Sequence, residues 1–441
     1  MPEALPELLV AALITALLCL LALDRLAQRG DFVVAGMFVA NGVLPALAGV
    51  AGALVARLES GVVQLSAPEI WLGRVGTVIL LAVASLAVLR PGHGRAGRGL
   101  WAGALAYCGA ALLTEVFAGQ GFPDGTLEIA LGVTALWVAP RLQASVVAAW
   151  AKGVLALFLL GSAAAILLGL PGATVPYDVS LLPGITYRVQ GITAHANALA
   201  PLPVAYLLLE WRYPSPRLAR YGMAGVAGVL LLLAQSKTAW VTALVVATIC
   251  VAGGWQDRRA RLATGAALLA LLAAYTAYSY AGNDQLSSAV EQARTFTGRT
   301  HLWRVGLEAW AAEPVWGQGP RFFEAYALRT AQSWTGQAHN QVIEVLAERG
   351  LIGLAGFAVY VAALCRSAMR SLVVSRAASL GLVALLLVRS LTETPFTGLD
   401  VTHLTVFAML AAWERVGEPA PAVRDPLAVR PAALAGPARQ R

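Results

Sequence analysis

Charge is scarce in this chain. Only 13% of its 441 residues are Asp, Glu, Lys or Arg, against 58% apolar residues and a mean hydropathy of +0.69. A soluble domain carries about 25% charged residues, so an ordinary water-soluble globule is excluded. Cysteine is scarce too, and Cys19, Cys108, Cys250 and Cys365 all lie in apolar runs or at their ends. They form no CxxC pair and no metal-ligand spacing, and read as small core or lipid-facing residues. Missing as well are a GxxxxGKS phosphate loop, an HExxH pair and an acidic cluster with metal-ligand spacing. The expectation is a chain that works without nucleotide hydrolysis, bound metal or other cofactor. The opening MPEALPELL has no basic stretch, and no small-residue cleavage site precedes a soluble domain, so the first apolar run reads as a span.

What the sequence has in quantity is long apolar runs. About twenty such residues are needed for a helix to cross a bilayer. Thirteen candidate spans can be marked, at about 7–23, 33–56, 70–89, 99–118, 125–140, 145–169, 197–210, 219–235, 238–253, 262–281, 351–368, 374–391 and 401–416. If the weak segment 125–140 or the first run does not cross, the number is twelve. The expected fold class is therefore an all-α polytopic membrane protein of 12–13 transmembrane helices. The net charge of +8 does not point to nucleic acid, because most Lys and Arg fall in short loops between spans. DRLAQRG (24–30), RPGHGRAGR (90–98), WRYPSPRLAR (211–220), QDRRAR (256–261), CRSAMR (365–370) and the tail after Arg415 share one side when the spans alternate. Cytoplasmic loops carry the basic excess, which puts the N-terminus outside and the C-terminus inside.

Five stretches follow: N-terminal spans (1–169), central spans (170–281), a large partly helical outer loop (282–338), a re-entrant helix with the last spans (339–416), and a disordered tail (417–441). In the outer segment Leu170–His195, Pro171, Pro176 and Pro183 exclude one regular helix. The large loop holds Arg294, Arg299, Arg304, Arg321 and Arg329 against Asp284, Glu291, Glu308, Glu313 and Glu324, which balances its charge. Within it TGRTHLWRVGLEAWAAEP reads as an amphipathic helix whose apolar stripe is Trp303, Leu307 and Trp310, with Pro314 closing it. Gly306 weakens that helix, and VWGQGP follows as a glycine-rich turn.

Four polar constellations fall on the expected outer side: Arg188 with Gly191, His195 and Asn197; Ser236-Lys237-Thr238; Gly298-Arg299; and His339-Asn340 with Glu344. Cations near a membrane are costly unless paired or used, so their convergence points to an anionic ligand such as a phosphate. Taken singly, Arg188, Lys237 and Arg299 have headgroup contact or a loop salt bridge as the usual alternative, while Arg299 or Arg321 could make a bidentate phosphate contact. A neutral His339 imidazole at a helix mouth can accept a proton; the plainer alternative is a histidine that caps the helix. Asn340, Glu344 and Glu348 lie on one face, which a solvated helix surface also explains. Trp303, Trp310, Trp316, Phe323 and Trp334 are candidate sugar platforms, although helical spacing makes Trp303 and Trp310 packing residues. Spans nearly free of central charge and without a visible repeat argue against a transporter.

RVQGITAHANALA, SKTAW, TGRTHLWRVGLEAW, VWGQGP and above all AHNQVIEVLAERGLIGL resemble the O-antigen ligase and polymerase superfamily over roughly residues 170–395. Many relatives have Ser-Arg where this chain has Ser236-Lys237. The resemblance implies a glycosyltransferase of the bacterial inner membrane with its active site facing the periplasm. Its donor would be an undecaprenyl-diphosphate-linked glycan and its acceptor lipid A–core oligosaccharide, with membrane lipids as surroundings and no nucleic acid. Arg188, Lys237, Arg299 and Arg321 would hold the diphosphate. His339 would serve as base, with Glu344 as the other catalytic candidate and His195 and Asn340 as support or acceptor contacts. The same resemblance admits a polymerase or a protein O-oligosaccharyltransferase; a short Leu170–His195 segment favours the ligase.

Overall fold

The computed structural model describes residues 32–54, 98–118, 124–138, 143–254 (apart from 178, 179, 181 and 183), 299–330 and 336–416, with isolated positions between 72 and 83. The expected spans 7–23 and 262–281, most of 70–89, the loop stretch 282–298, Trp334 and the tail lie outside the described residues.

Apolar runs fold as helices because an unpaired backbone amide is expensive in lipid. Helices α1 (Phe32–Phe38) and α2 (Leu44–Leu54) are joined by a π-turn, Val39–Val43. Then come α3 (Arg98–Ala118), α4 (Asp124–Val138) and α5 (Ala144–Leu167). Strands β1 (Thr174–Pro176) and β2 (Tyr187–Val189) precede α6 (Ala196–Leu199), α7 (Pro201–Arg212), α8 (Arg217–Leu233) and α9 (Lys237–Gly254). The stretch expected as the large outer loop gives α10 (Arg299–Ala312) and α11 (Phe322–Thr330). The chain closes with α12 (Gln341–Arg370), α13 (Leu372–Ser375), α14 (Ala378–Arg389) and α15 (Val401–Val416). Val33–Val50, Arg98–Phe117, Ala144–Leu167 and Gln341–Arg370 are each long and apolar enough to cross a membrane. The molecule is a helical, multi-pass membrane protein.

Its most intimate seam joins α3 to α12 through small residues. A Cβ on Gly103 would lie 2.4 Å from the Ala363 Cβ, and one on Gly356 would lie 2.6 Å from the Ala110 Cβ. Close backbone approach of this kind is how helices associate where water supplies no hydrophobic drive. At one end of the bundle a polar clasp ties α5 to α7 and α8: Lys152 pairs with Glu210 at 2.5 Å and donates to the Tyr213 carbonyl and Ser215 hydroxyl, both at 2.7 Å. The Trp413 indole donates to the Tyr213 hydroxyl at 2.8 Å and brings α15 into the same knot.

Four expectations need correction. The fold is not purely helical: β1 and β2 pair antiparallel, Val175 opposite Arg188, in the proline-bearing segment. The expected span 374–391 is broken between α13 and α14, where Arg376 and Ala377 take φ of 53° and 66°. On α10 the buried stripe is Leu302, Gly306 and Ala309, while Leu307 is exposed. A Cβ on Gly306 would meet Ile343 at 2.6 Å, so the helix packs through its smallest residue and continues through it. Finally, the face of α12 bearing Glu344 and Glu348 is not solvated; they are 5% and 7% exposed because α10 and the turn after it lie across them.

α12 bends at Gly350, with φ 58° and ψ −157°. The bend takes two carbonyls and two amides out of the helix, and the turn 314–319 replaces their partners. Gln318 and Gly319 amides donate to the Ala347 and Glu348 carbonyls at 2.8 and 2.9 Å, and Leu351 and Ile352 amides donate to the Pro314 and Val315 carbonyls at 2.9 and 3.3 Å. So the stretch expected as a re-entrant helix is one half of a broken helix that runs on into the next span, with the glycine-rich turn spliced into the break.

Candidate active site

At the end of the bundle opposite the Lys152 clasp, the loop from α14 to α15 carries Glu393. Its side chain is 10% exposed and is the hub of the polar network. Glu393 Oε1 accepts from Asn197 Nδ2 at 2.7 Å and from Arg299 Nη2 at 3.0 Å. Its Oε2 lies 3.2 Å from His339 Nδ1 and accepts from Gln337 Nε2 at 3.3 Å. Burial raises the Glu393 carboxyl, but the His339 contact with the Arg299 and Arg389 charges outweighs it and holds the group at about 2. The carboxylate is ionised at any physiological pH.

Each neighbour is placed by its own element. Asn340 is the cap of α12, its Oδ1 accepting from the Val342 and Ile343 amides at 3.0 and 3.1 Å. Capping thus falls to Asn340, and His339 stands just outside the helix at φ 51°, a region that side-chain-bearing residues seldom occupy. Such strain gathers at functional positions. With Glu393 accepting from Nδ1–H, the lone pair of a neutral His339 resides on Nε2. The Glu393 loop is seated on α12 by Gln341, whose amide donates to the Ser390 carbonyl and whose Oε1 accepts from the Phe396 amide, both at 2.9 Å.

The Arg188 corner arrives on β2. Gly191 sits at φ 58° against α5, where a Cβ would come within 2.2 Å of Ser162, so the hairpin presses on that helix as closely as a backbone can. Arg188 Nη2 lies 2.7 Å from His195 Nε2, and its guanidinium lies 5.1 Å from the Tyr177 ring centre. The Gln235 amide donates to the Tyr187 carbonyl at 2.7 Å, which fixes the start of α9 to the hairpin. From there Thr238 Oγ1 accepts from Thr392 Oγ1 at 2.8 Å, linking the corner that bears Lys237 to the Glu393 loop. Among the described residues neither Arg188 nor Lys237 forms an ion pair with a carboxylate.

The structure therefore brings together Arg188, His195, Asn197, Arg299 and His339, with Lys237 adjoining. Arg299 differs from the others because its fork is taken: Nη1 donates to the Thr392 carbonyl at 2.8 Å and Nη2 to Glu393. Two expected members stand apart. Glu344 Oε2 accepts from the Ala338 amide at 2.5 Å and closes the turn that holds His339. Arg321 is carried by the glycine turn to the exposed start of α11, 3.9 Å from Glu324. Trp303 is a packing residue, its indole donating to the Ala338 carbonyl at 3.1 Å, while Trp316 stacks on Phe117 at 4.2 Å. Glu393, Gln337 and Thr394 were invisible to motif reading. Charge balance is the signal that points to Glu393, since several cations expected on the outer side need one anion and TETPF is expected on the same side.

Fold and site define a helical membrane protein with a histidine–carboxylate pair ringed by cations at one end of its bundle. Residues 222–358 match the family model described as O-Antigen ligase, in agreement with the resemblance carried by the AHNQ…GLIG stretch. That match takes in Lys237, Arg299, Arg321, His339 and Glu344, and stops short of Arg188, His195 and Glu393. The chain is also similar to the exopolysaccharide production protein ExoQ of Rhizobium meliloti (strain 1021), 31% identical over 220 residues. The aligned part is 44% of this chain and 49% of that relative, so the match spans about half of each.

Proposed function

We propose that the protein is a membrane glycosyltransferase that moves a glycan from an undecaprenyl-diphosphate carrier to a hydroxyl acceptor on the outer face of the bacterial inner membrane. The observation that carries this reading is the His339–Glu393 pair with Arg188 near it and Lys237 next to the Thr238 that joins the same loop, neither cation forming an ion pair with a carboxylate among the described residues. The acceptor hydroxyl attacks the anomeric carbon, the bond from that carbon to the diphosphate oxygen breaks, and His339 Nε2 takes the hydroxyl proton. Glu393 holds Nδ1–H, fixes the tautomer and stabilises the imidazolium that forms. Arg188 and Lys237 stabilise the charge gathering on the leaving diphosphate. Arg299 is a positioning residue that orients Glu393. Attack from the side opposite the leaving group inverts the anomeric centre.

On the ligase reading the acceptor is lipid A–core oligosaccharide. The similar Rhizobium protein, an exopolysaccharide production protein by name, favours a second reading, in which the acceptor is another carrier-linked glycan and the chain grows. Purified protein given lipid-linked glycan, with and without lipid A–core, separates the two: product only with the core means ligase, and chain growth without it means polymerase. His339→Ala is expected to lower transfer by about 10²–10⁴-fold, the usual worth of a positioned acid–base group, with normal membrane insertion. Transfer near the wild-type rate in that variant would remove the base role. Because side-chain cations supply the charge stabilisation, activity is expected to survive EDTA; a strict divalent-metal requirement contradicts the cation account.

A further inference from the structure

The corner between Arg188 and His195 holds more donors than acceptors. His195 caps α6 with its side chain, and Nδ1 accepts from the Asn197 amide at 3.1 Å. A neutral imidazole has one acceptor nitrogen, so the cap leaves the proton on Nε2. That Nε2 lies 2.7 Å from Arg188 Nη2, which can only donate. Two N–H groups then face the same point with no acceptor between them. The other tautomer moves the surplus donor to the Asn197 amide without removing it. Three N–H groups share one lone pair in either case, and the cap tautomer puts the surplus between Nε2 and Arg188, on a histidine that is itself exposed. Protonating the ring only adds a donor. Desolvation by the surrounding fold and then the Arg188 charge pull the imidazole down to about 4, against a smaller upward pull from Glu393, so it stays neutral near pH 7.

We propose that His195 Nε2–H and Arg188 Nη2–H together form a two-donor fork for one phosphate oxygen of the carrier diphosphate, with the helix cap fixing the tautomer that makes His195 a donor. This rests on the diphosphate reading of the site given above. The ligand oxygen supplies the missing acceptor and relieves the donor–donor contact. A neutral histidine in this place adds direction to the Arg188 charge without adding to the repulsion between Arg188 and Arg299.

Asn and Gln replacements separate the two jobs of the ring. His195→Asn keeps a side-chain oxygen for the cap, because Asn is among the best capping residues, and removes the outer donor. His195→Gln carries an amide donor out to about the Nε2 position and gives up the cap. The full chain in nanodiscs would be titrated with undecaprenyl diphosphate and, separately, with inorganic diphosphate, and melted in parallel. His195→Asn is expected to melt like the wild type and bind undecaprenyl diphosphate roughly tenfold or more weakly, the worth of a hydrogen bond to a charged group. His195→Gln is expected to melt lower and bind within roughly threefold of the wild type, since a neutral amide donor is restored. Wild-type affinity in His195→Asn while Arg188→Ala binds poorly overturns the fork and leaves His195 a cap alone. A folded His195→Gln that binds no better than His195→Asn also overturns it. If Arg188→Ala too binds like the wild type, the diphosphate reading of this corner is what fails. Tight binding of inorganic diphosphate by the wild type, weakened by His195→Asn and restored by His195→Gln while undecaprenyl diphosphate does not bind, overturns the lipid-carrier assignment and gives the fork to a free anion.

Discussion

Glu393 sets the state of three neighbours with one carboxylate. It neutralises Arg299, accepts from Asn197 and decides which nitrogen of His339 carries the proton. Replacing it by Gln keeps the size and removes the charge, so transfer is expected to fall by about 10²-fold or more, as measured in a reconstituted assay. The same change should alter the response to acid. A carboxylate held at about 2, below its ordinary 4.5, stabilises the fold fully above pH about 4.5 and loses that contribution as pH falls toward about 2. Melting curves should therefore show a wild-type advantage over Glu393→Gln that is constant near neutrality and shrinks across that acid window. At this scale the place of His339 at a helix mouth was legible from residue order, while the cap itself fell to Asn340, a role that residue order had not assigned to it. Glu393 was not legible, because an acid in the eleven-residue loop between α14 and α15 carries no motif, and its meaning comes from residues 54 to 196 positions away. The burial of Glu344 and Glu348 was hidden for a related reason: what covers them belongs to another element.

At the scale of elements, the broken helix governs the site. The half from Gln341 to Arg349 is fixed at its start to the Glu393 loop and at its end to the glycine turn. Arg349, only 5% exposed, donates to the Tyr107 hydroxyl at 2.6 Å, and that hydroxyl donates on to the Phe396 carbonyl at 3.2 Å. The break and the active-site loop are thus tied to α3 by one relay. A methyl at Gly350 would sit 2.4 Å from the Val315 carbonyl oxygen, at a φ that suits glycine. Gly350→Ala is expected to cost about 2–4 kcal/mol, from strain plus disturbed hydrogen bonds, visible as a lower unfolding midpoint and faster proteolysis around residues 314–321. Reading α10 from its sequence went wrong by one face, for a physical reason. Hydrophobic periodicity weights Trp and Leu, whereas the contact with α12 demands the shortest side chain, and Gly306 scores nothing on such a scale.

Across the whole molecule, length and apolarity of runs made the helices legible, since a bilayer-spanning segment leaves the backbone no alternative. What hydropathy does not contain is which helices touch. The α3–α12 seam is written in Gly103, Ala106, Ala110, Gly356 and Ala363, residues that add little to any span score. Gly356→Leu should push these helices apart and strain the Arg349–Tyr107–Phe396 relay. The expected result is a fall in melting temperature together with a loss of transfer, where a comparable change at Gly109, which faces open space, leaves both unchanged. Equal behaviour of the two variants would show that the seam does not support the site.

The splice at Gly350 also constrains the length of the chain. Pro314 and Val315 receive the amides on one side of the break, and Gln318 and Gly319 serve the carbonyls on the other, so only two residues bridge the pairs. One residue added or removed between Val315 and Gln318 would put one set of pairs out of register and leave two backbone groups without partners beside a buried helix. Natural variation in this part of the protein should therefore change which residues stand between Pro314 and Gly319 and never how many.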